Sequence, residues 1–133
     1  MSDVLLSWRS PVPESWGQRL RFRPSAKIFP LDWAPWHGVL TRIEPQDERW
    51  QPAVDAQTGV AVAVIGRLAW DAQDWRAAAK LPGTGGSAAR LLLDRWREGI
   101  VHFLPLINGV AAVLVFDPGR HRLHLFTDQL GMV

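Results

Sequence analysis

Two stretches of this chain are apolar on both sides of a strand. From Gly59 to Gly66, Val60, Val62 and Val64 alternate with Ala61, Ala63 and Ile65, and from Val110 to Phe116 no polar residue interrupts the run. A strand with no polar side has no face to give to water, so both are predicted to be central strands covered on two sides. Trp50 to Val54 precedes the first across Asp55-Ala56-Gln57-Thr58, which reads as a hairpin. The second leads into Asp117-Pro118-Gly119-Arg120, with Pro and Gly where a turn favours them. A closing strand follows through Arg122-Leu123-His124-Leu125-Phe126-Thr127, and then Asp128-Gln129-Leu130-Gly131.

Between these strands the period becomes helical. Asp71 can cap a short helix running to Lys80, with Asp74 in the first turn, where a negative charge suits the helix dipole. Pro82 to Gly86 is a loop. Ser87 is expected to cap a second helix that Gly99 ends. On that helix Ala89, Leu92, Leu93 and Trp96 share one face, and Arg90, Asp94, Arg97 and Glu98 are expected to point outward.

The first 55 residues lack helical periodicity and are broken by Pro11, Pro13, Pro24, Pro30, Pro35 and Pro45. Short strands are predicted at Val4 to Trp8, Arg19 to Arg23 and His37 to Ile43. Arg19, Arg21 and Arg23 alternate as a solvated strand face would; a nucleic-acid contact is the lesser alternative. Together these elements predict an α+β sandwich of mainly antiparallel sheets covered by helices, with the helices Asp71–Lys80 and Ser87–Glu98 at its centre. No repeat or low-complexity segment divides the chain, so residues 1–133 are read as one domain.

Composition narrows the function classes. The chain has 133 residues, of which 47% are hydrophobic, enough for one core. Fifteen basic and thirteen acidic residues leave a formal charge of +2, so neither nucleic acid nor a membrane is an expected partner. With no cysteine, disulfides, thiol nucleophiles and thiolate metal sites are excluded. The start has no basic region followed by a long apolar run, and a cytoplasmic location is the default expectation. Eight tryptophans are unusual. Each buries a large area but needs a partner for its indole N–H when buried. The Trp-rich first third reads as core filling plus contacts to a further domain, with an aromatic binding surface as the alternative.

The features from about Gln51 to Gly131 resemble, in order, the glutamine-hydrolysing domain at the N-terminus of asparagine synthetases. Gln51-Pro52 is similar to that family's Gln-Pro before the central hairpin. Gly66-Arg67-Leu68 before a short helix resembles its Asn-Gly-Glu-Ile-Tyr-Asn segment. Ser87-Ala88-Ala89-Arg90 opens a helix where the family has Ser-Asp-x-Glu, and Asn108-Gly109 through Asp128-Gln129-Leu130-Gly131 resembles its closing hairpin. The resemblance implies an N-terminal-nucleophile αββα sandwich, truncated or degenerate. It also implies a longer, asparagine-synthetase-like protein, since the family continues into an ATP-using synthetase domain and this chain stops at Met132-Val133.

Most of the family's chemical kit is replaced. Its nucleophile is a terminal Cys whose own α-amino group serves as base; Ser2 stands here. An Asn-Gly pair supplies the oxyanion hole; Gly66 is kept, but Ile65, which has no donor, stands where Asn should be. An Asp at the helix start grips the substrate amino group; Ala88 occupies that place. An Arg in an Arg-Gly-Pro-Asp loop grips the substrate carboxylate; Arg42 and Arg49 lie in the right region without the flanking residues. No catalytic, cofactor or metal residue is therefore assigned. ATP and magnesium are expected only in the missing synthetase domain.

The remaining candidates have plainer readings. His121 and His124 are three apart in a predicted strand and point to opposite faces, and with His102 they are expected to be solvent-exposed rather than metal ligands. Pro82-Gly83-Thr84-Gly85-Gly86-Ser87 lacks the Gly-Lys-Ser/Thr of a phosphate loop and reads as a connector. Asp71 and Asp74 are a capping pair rather than a catalytic one. Asp128 is a structural corner in the resembled family and is read so here.

The expectation is a non-catalytic glutamine-amidotransferase-like domain supporting an amide-forming ligase domain, its principal partner. Two rivals stay open: a Ser2-dependent N-terminal-nucleophile amidohydrolase, and a module that binds a peptide or carrier protein. Homo-oligomerisation is left open too. Ser2, Ile65, Gly66 and Ala88 are expected to lie near one another, and the pocket they mark to be narrowed or filled by apolar side chains, Trp70 being the nearest tryptophan in sequence.

Overall fold

The computed structural model describes residues 2–20, 25–42 and 47–128. Over these residues the protein is α+β, with two antiparallel sheets and four α-helices. It divides into two compact units, Met1–Asp47 and Glu48–Val133.

The first unit is a three-stranded sheet in the order β1-β3-β2, from β1 (Ser2–Trp8), β2 (Lys27–Trp33) and β3 (Trp36–Arg42). Strands β2 and β3 are joined by a tight turn through a cis Ala34–Pro35 bond. Two predicted strands are recovered: Val4 to Trp8 lies within β1, and His37 to Arg42 within β3, while Ile43 falls outside the described residues. The expected strand Arg19 to Arg23 is not formed. Arg19 belongs to helix α1 (Glu14–Leu20), and residues 21–24 lie outside the described set. Pro13 fixes the entry: its carbonyl accepts from the Trp16 N–H, Glu14 sits in the first turn and Arg19 in the last, both suited to the dipole. Gly17 is buried in contact with Ile28 and Val39, so packing decides a segment too short for periodicity. Strand β2 was not expected because of Pro30. It is an edge strand of this sheet, where a residue without an N–H is tolerated.

The second unit is a four-stranded sheet in the order β4-β5-β6-β7, from β4 (Ala53–Val54), β5 (Ala61–Leu68), β6 (Gly109–Asp117) and β7 (Arg122–Thr127). The expected central strands are central: β5 and β6 pair from Ala61↔Phe116 to Leu68↔Gly109. Ala61 to Ile65 and Ala111 to Phe116 are buried on both faces, although Val110 is exposed. Of the expected first hairpin strand only Ala53–Val54 is extended, because Glu48–Trp50 winds into a 3₁₀ turn that buries Trp50.

Helices α2 (Ala72–Lys80) and α3 (Ser87–Glu98) cover one face of this sheet, and a short α4 (Ile100–Phe103) follows. Asp71 caps α2, accepting from the N–H groups of Gln73 and Asp74. Gly99 ends α3 at φ 125°. The N-cap of α3 is Gly86 rather than Ser87, which is already helical. Val62 and Val64 of β5, Val113 and Val115 of β6, and Ala88, Leu91 and Leu92 of α3 share a single core with Trp50, Phe103 and Leu106. Trp96 is half-buried at its margin, edge-on to Phe103 at 5.2 Å. Among the described residues no helix is long and apolar enough to cross a membrane.

Candidate functional site

The positions that the resemblance marks lie on β5 and α3 in the second unit and on β1 in the first. On β5, Val62 and Val64 face the helices, so the alternation turns Ile65 to the opposite face, outside the core cluster that contains Ala88. Ile65 is nonetheless buried, at 9% exposure, opposite Ala112 of β6. Gly66 takes φ +84°, and a Cβ there would collide with the Val110 carbonyl, so the position requires glycine. Ala88 is fully buried in the first turn of α3. Ser2 begins β1 in the first unit, directly opposite Arg42 of β3.

Arg42 is buried. Arg49 stacks its guanidinium over Trp75, 4.8 Å from the ring centre. Trp70 does not turn toward Ile65. Its indole N–H donates to the Leu106 carbonyl at 2.8 Å and its ring packs 4.9 Å from Trp75, on the helix-covered side of the sheet. The need of a buried indole for an acceptor fixes it there.

The tryptophans divide by environment. Trp33 and Trp50 are buried, whereas Trp8 and Trp16 are nearly half exposed. Trp8, Trp36 and Trp33 form one cross-strand row at the end of the first sheet.

The histidines behave differently from one another. His102 and His121 are exposed, and His121 lies in the turn before β7 at φ 51° rather than in a strand. His124 corrects the expectation of exposure: it is half-buried against Trp96 and Phe126, with Nε2 buried and without a hydrogen-bond partner. The aromatic cluster under β7 draws the ring in, since its flat face suits stacking. Among the described residues no group of three or more His, Asp or Glu side chains could hold a metal ion. Asp128 is buried, and its N–H donates to the Ala111 carbonyl, carrying the β6–β7 ladder one residue past β7.

The most concentrated electrostatics lie where sequence spacing gave no signal. Asp55 begins the β4–β5 loop and its side chain is almost wholly buried. It accepts from Arg97 through two bonds, Nη2 to Oδ1 at 2.6 Å and Nε to Oδ2 at 3.1 Å. It also accepts from the Thr58 hydroxyl at 2.6 Å and the Gln57 N–H at 3.1 Å. These bonds, the Arg97 guanidinium first, hold its carboxyl far below the ordinary carboxylate range against the opposing effect of burial. Arg97 was expected to point outward, and it does so at about half exposure while also tying α3 to the hairpin loop. Beside this pair is a groove of about 440 Å³, whose lining includes Val54, Leu81, Thr84, Arg90, Leu93 and Asp94. The loop after α2 forms one wall and is pinned by Gly85, at φ +87°, which lies so close to Pro52 and Ala53 that a Cβ would not fit.

The chain matches no protein-family model, no curated protein and no solved structure.

Proposed function

We propose that this chain is a glutaminase-like domain of the N-terminal-nucleophile αββα class that has lost its catalysis. In this reading it supports an ATP-dependent, asparagine-synthetase-related amide-forming domain, which would hold the ATP and magnesium. The observation that carries the proposal is that Ile65 and Ala88, where the resembled family has an oxyanion donor and an amino-gripping carboxylate, are both apolar and buried, on opposite sides of β5. Gly66 keeps the left-handed backbone expected beside an oxyanion hole, and the closing β6–β7 hairpin keeps the order of the resembled ending. The test is ammonia release from glutamine by the full chain. None above buffer is expected. Saturable release that Ser2→Ala abolishes would establish the amidohydrolase reading instead.

A second reading rests on the half-exposed indoles of Trp8 and Trp16. Such surfaces suit a peptide or carrier protein. Saturable binding of a peptide, lost in Trp8→Ala and Trp16→Ala, would favour that module.

A further inference from the structure

The groove beside the Asp55–Arg97 pair is lined by none of Ile65, Gly66 or Ala88, so what it does is independent of the reading above. Four charged residues line it. Asp55 and Arg97 neutralise each other, and Asp94 lies 3.6 Å from Arg95. Arg90 is left without a carboxylate among the described residues. Its one side-chain hydrogen bond among them runs from Nη1 to the Gly85 carbonyl at 2.6 Å, and its Nε is buried with no acceptor.

The unfilled edge of this guanidinium is the informative part. Nε and Nη2 present two parallel N–H groups, the arrangement that a carboxylate accepts side-on. Arg97, seven residues along the same helix, uses this same edge to hold Asp55. Arg90 has the edge, fixed at its other end by Gly85, and lacks the acid. A buried cationic N–H without an acceptor is costly, so the position favours an incoming anion. The rest of the lining selects which anion. Val54, Leu81 and Leu93 are apolar, and Gln57 and Thr84 are the neutral polar side chains in the lining. Asp94 disfavours a second negative charge.

We propose that this groove binds a single carboxylate carried on an apolar chain, with Arg90 as its anion-binding residue. A free aliphatic acid and the C-terminus of a peptide ending in an apolar residue share this chemistry. Binding requires the Arg90 side chain to turn so that its Nε–Nη2 edge, whose Nε is buried here, meets the ligand.

The experiment compares N-acetyl-leucine with neutral N-acetyl-leucinamide on the full chain, by calorimetry or by NMR titration. The acid is expected to bind at least tenfold more tightly. Arg90→Gln should erase that difference, and Arg90→Lys should keep part of it, since a lysine retains the charge but not the fork. Octanoate, set against a leucine-ending peptide with a free or an amidated C-terminus, identifies the source by which acid binds more tightly. Equal affinity for acid and amide in the unaltered protein would overturn the proposal, as would discrimination that survives in Arg90→Gln. If Arg90→Gln does not fold, the unaltered protein still decides. The amide signals of Thr84, Arg90 and Leu93 must move with the acid and stay still with the amide, and movement confined to other residues refutes the site.

Discussion

Arg97 near the end of α3 holds Asp55 at the start of the β4–β5 loop with two parallel bonds, although 42 residues separate them. The acid is buried and the base half exposed, so the pair joins core to surface. Arg97→Ala is expected to lower stability by about 1–2 kcal/mol, the range for a charge-assisted bond discounted for the solvent around the arginine. Asp55→Ala should cost more, because it also strands the Thr58 hydroxyl and the Gln57 N–H. A double-mutant cycle by urea denaturation measures the coupling; a value near zero would show that the loop is held by its backbone alone.

The same pair fixes a pH dependence. Asp55 has a folded-state pKa below its unfolded value, so between the two the unfolded chain binds the extra proton. Its contribution is therefore complete above the ordinary carboxylate range and is lost as pH falls below about 4. The urea midpoint should drop between pH 7 and pH 3, and this drop should be smaller in Asp55→Asn. An equal drop in both proteins would assign the acid sensitivity to other carboxylates.

Trp96 lies among Phe103, His124 and Phe126, with ring centres 5.1–6.0 Å away. It is half-buried rather than enclosed, so Trp96→Ala is expected to cost about 2–3 kcal/mol, below the range for a fully buried aromatic. Trp96→Phe should recover most of this. A loss under about 0.5 kcal/mol would place the indole among ordinary surface residues.

How much of this was legible depended on whether a local rule existed. Strands β5 and β6 were legible because two apolar faces admit one environment. Helices α2 and α3 were legible through Asp71 and Gly99, whose chemistry marks an end. Helix α1 was not, because seven residues show no period, and three alternating arginines imitate a strand. Strand β2 was hidden by Pro30, which is acceptable only at an edge, and edge position is a property of the assembled sheet. The expectation that Ile65, Gly66 and Ala88 lie near one another came from their order along the chain, and order does not fix which side of a strand a residue faces: Ile65 turns away from the core that holds Ala88. The Asp55–Arg97 pair and the groove beside it had no sequence signal, since no spacing rule links a loop acid to a helix 42 residues later.

Gly66 offers a direct test of the backbone where β5 pairs with β6. Its left-handed φ and its closeness to the Val110 carbonyl both oppose a Cβ. Gly66→Ala is expected to cost about 3 kcal/mol or more, by strain together with steric displacement of β6. The measurement is the denaturation midpoint or, if the variant is insoluble, its yield relative to Gly59→Ala. An unchanged midpoint would mean that β5 and β6 separate readily at this end.

The last prediction concerns Ala88, where helix chemistry and burial pull in opposite directions. An Asp at the second position of α3 would sit in the first turn, where the helix dipole favours it by about 0.3–1 kcal/mol. The same side chain would enter a fully buried place in the core shared with Leu91, Leu92 and Val64, where an unpaired carboxylate costs several kcal/mol. Burial wins by this arithmetic, so Ala88→Asp is expected to destabilise by about 3 kcal/mol or more. Ser2→Cys should be tolerated, yet give no glutaminase activity, since Ile65 still lacks a donor. Ala88→Asp asks whether the core is closed at this position, and Ser2→Cys tests the proposed loss of catalysis. If Ala88→Asp folds with a loss below about 1 kcal/mol, a polar cavity reaches the start of α3. The expectation of a closed, apolar environment at Ala88 would then fail.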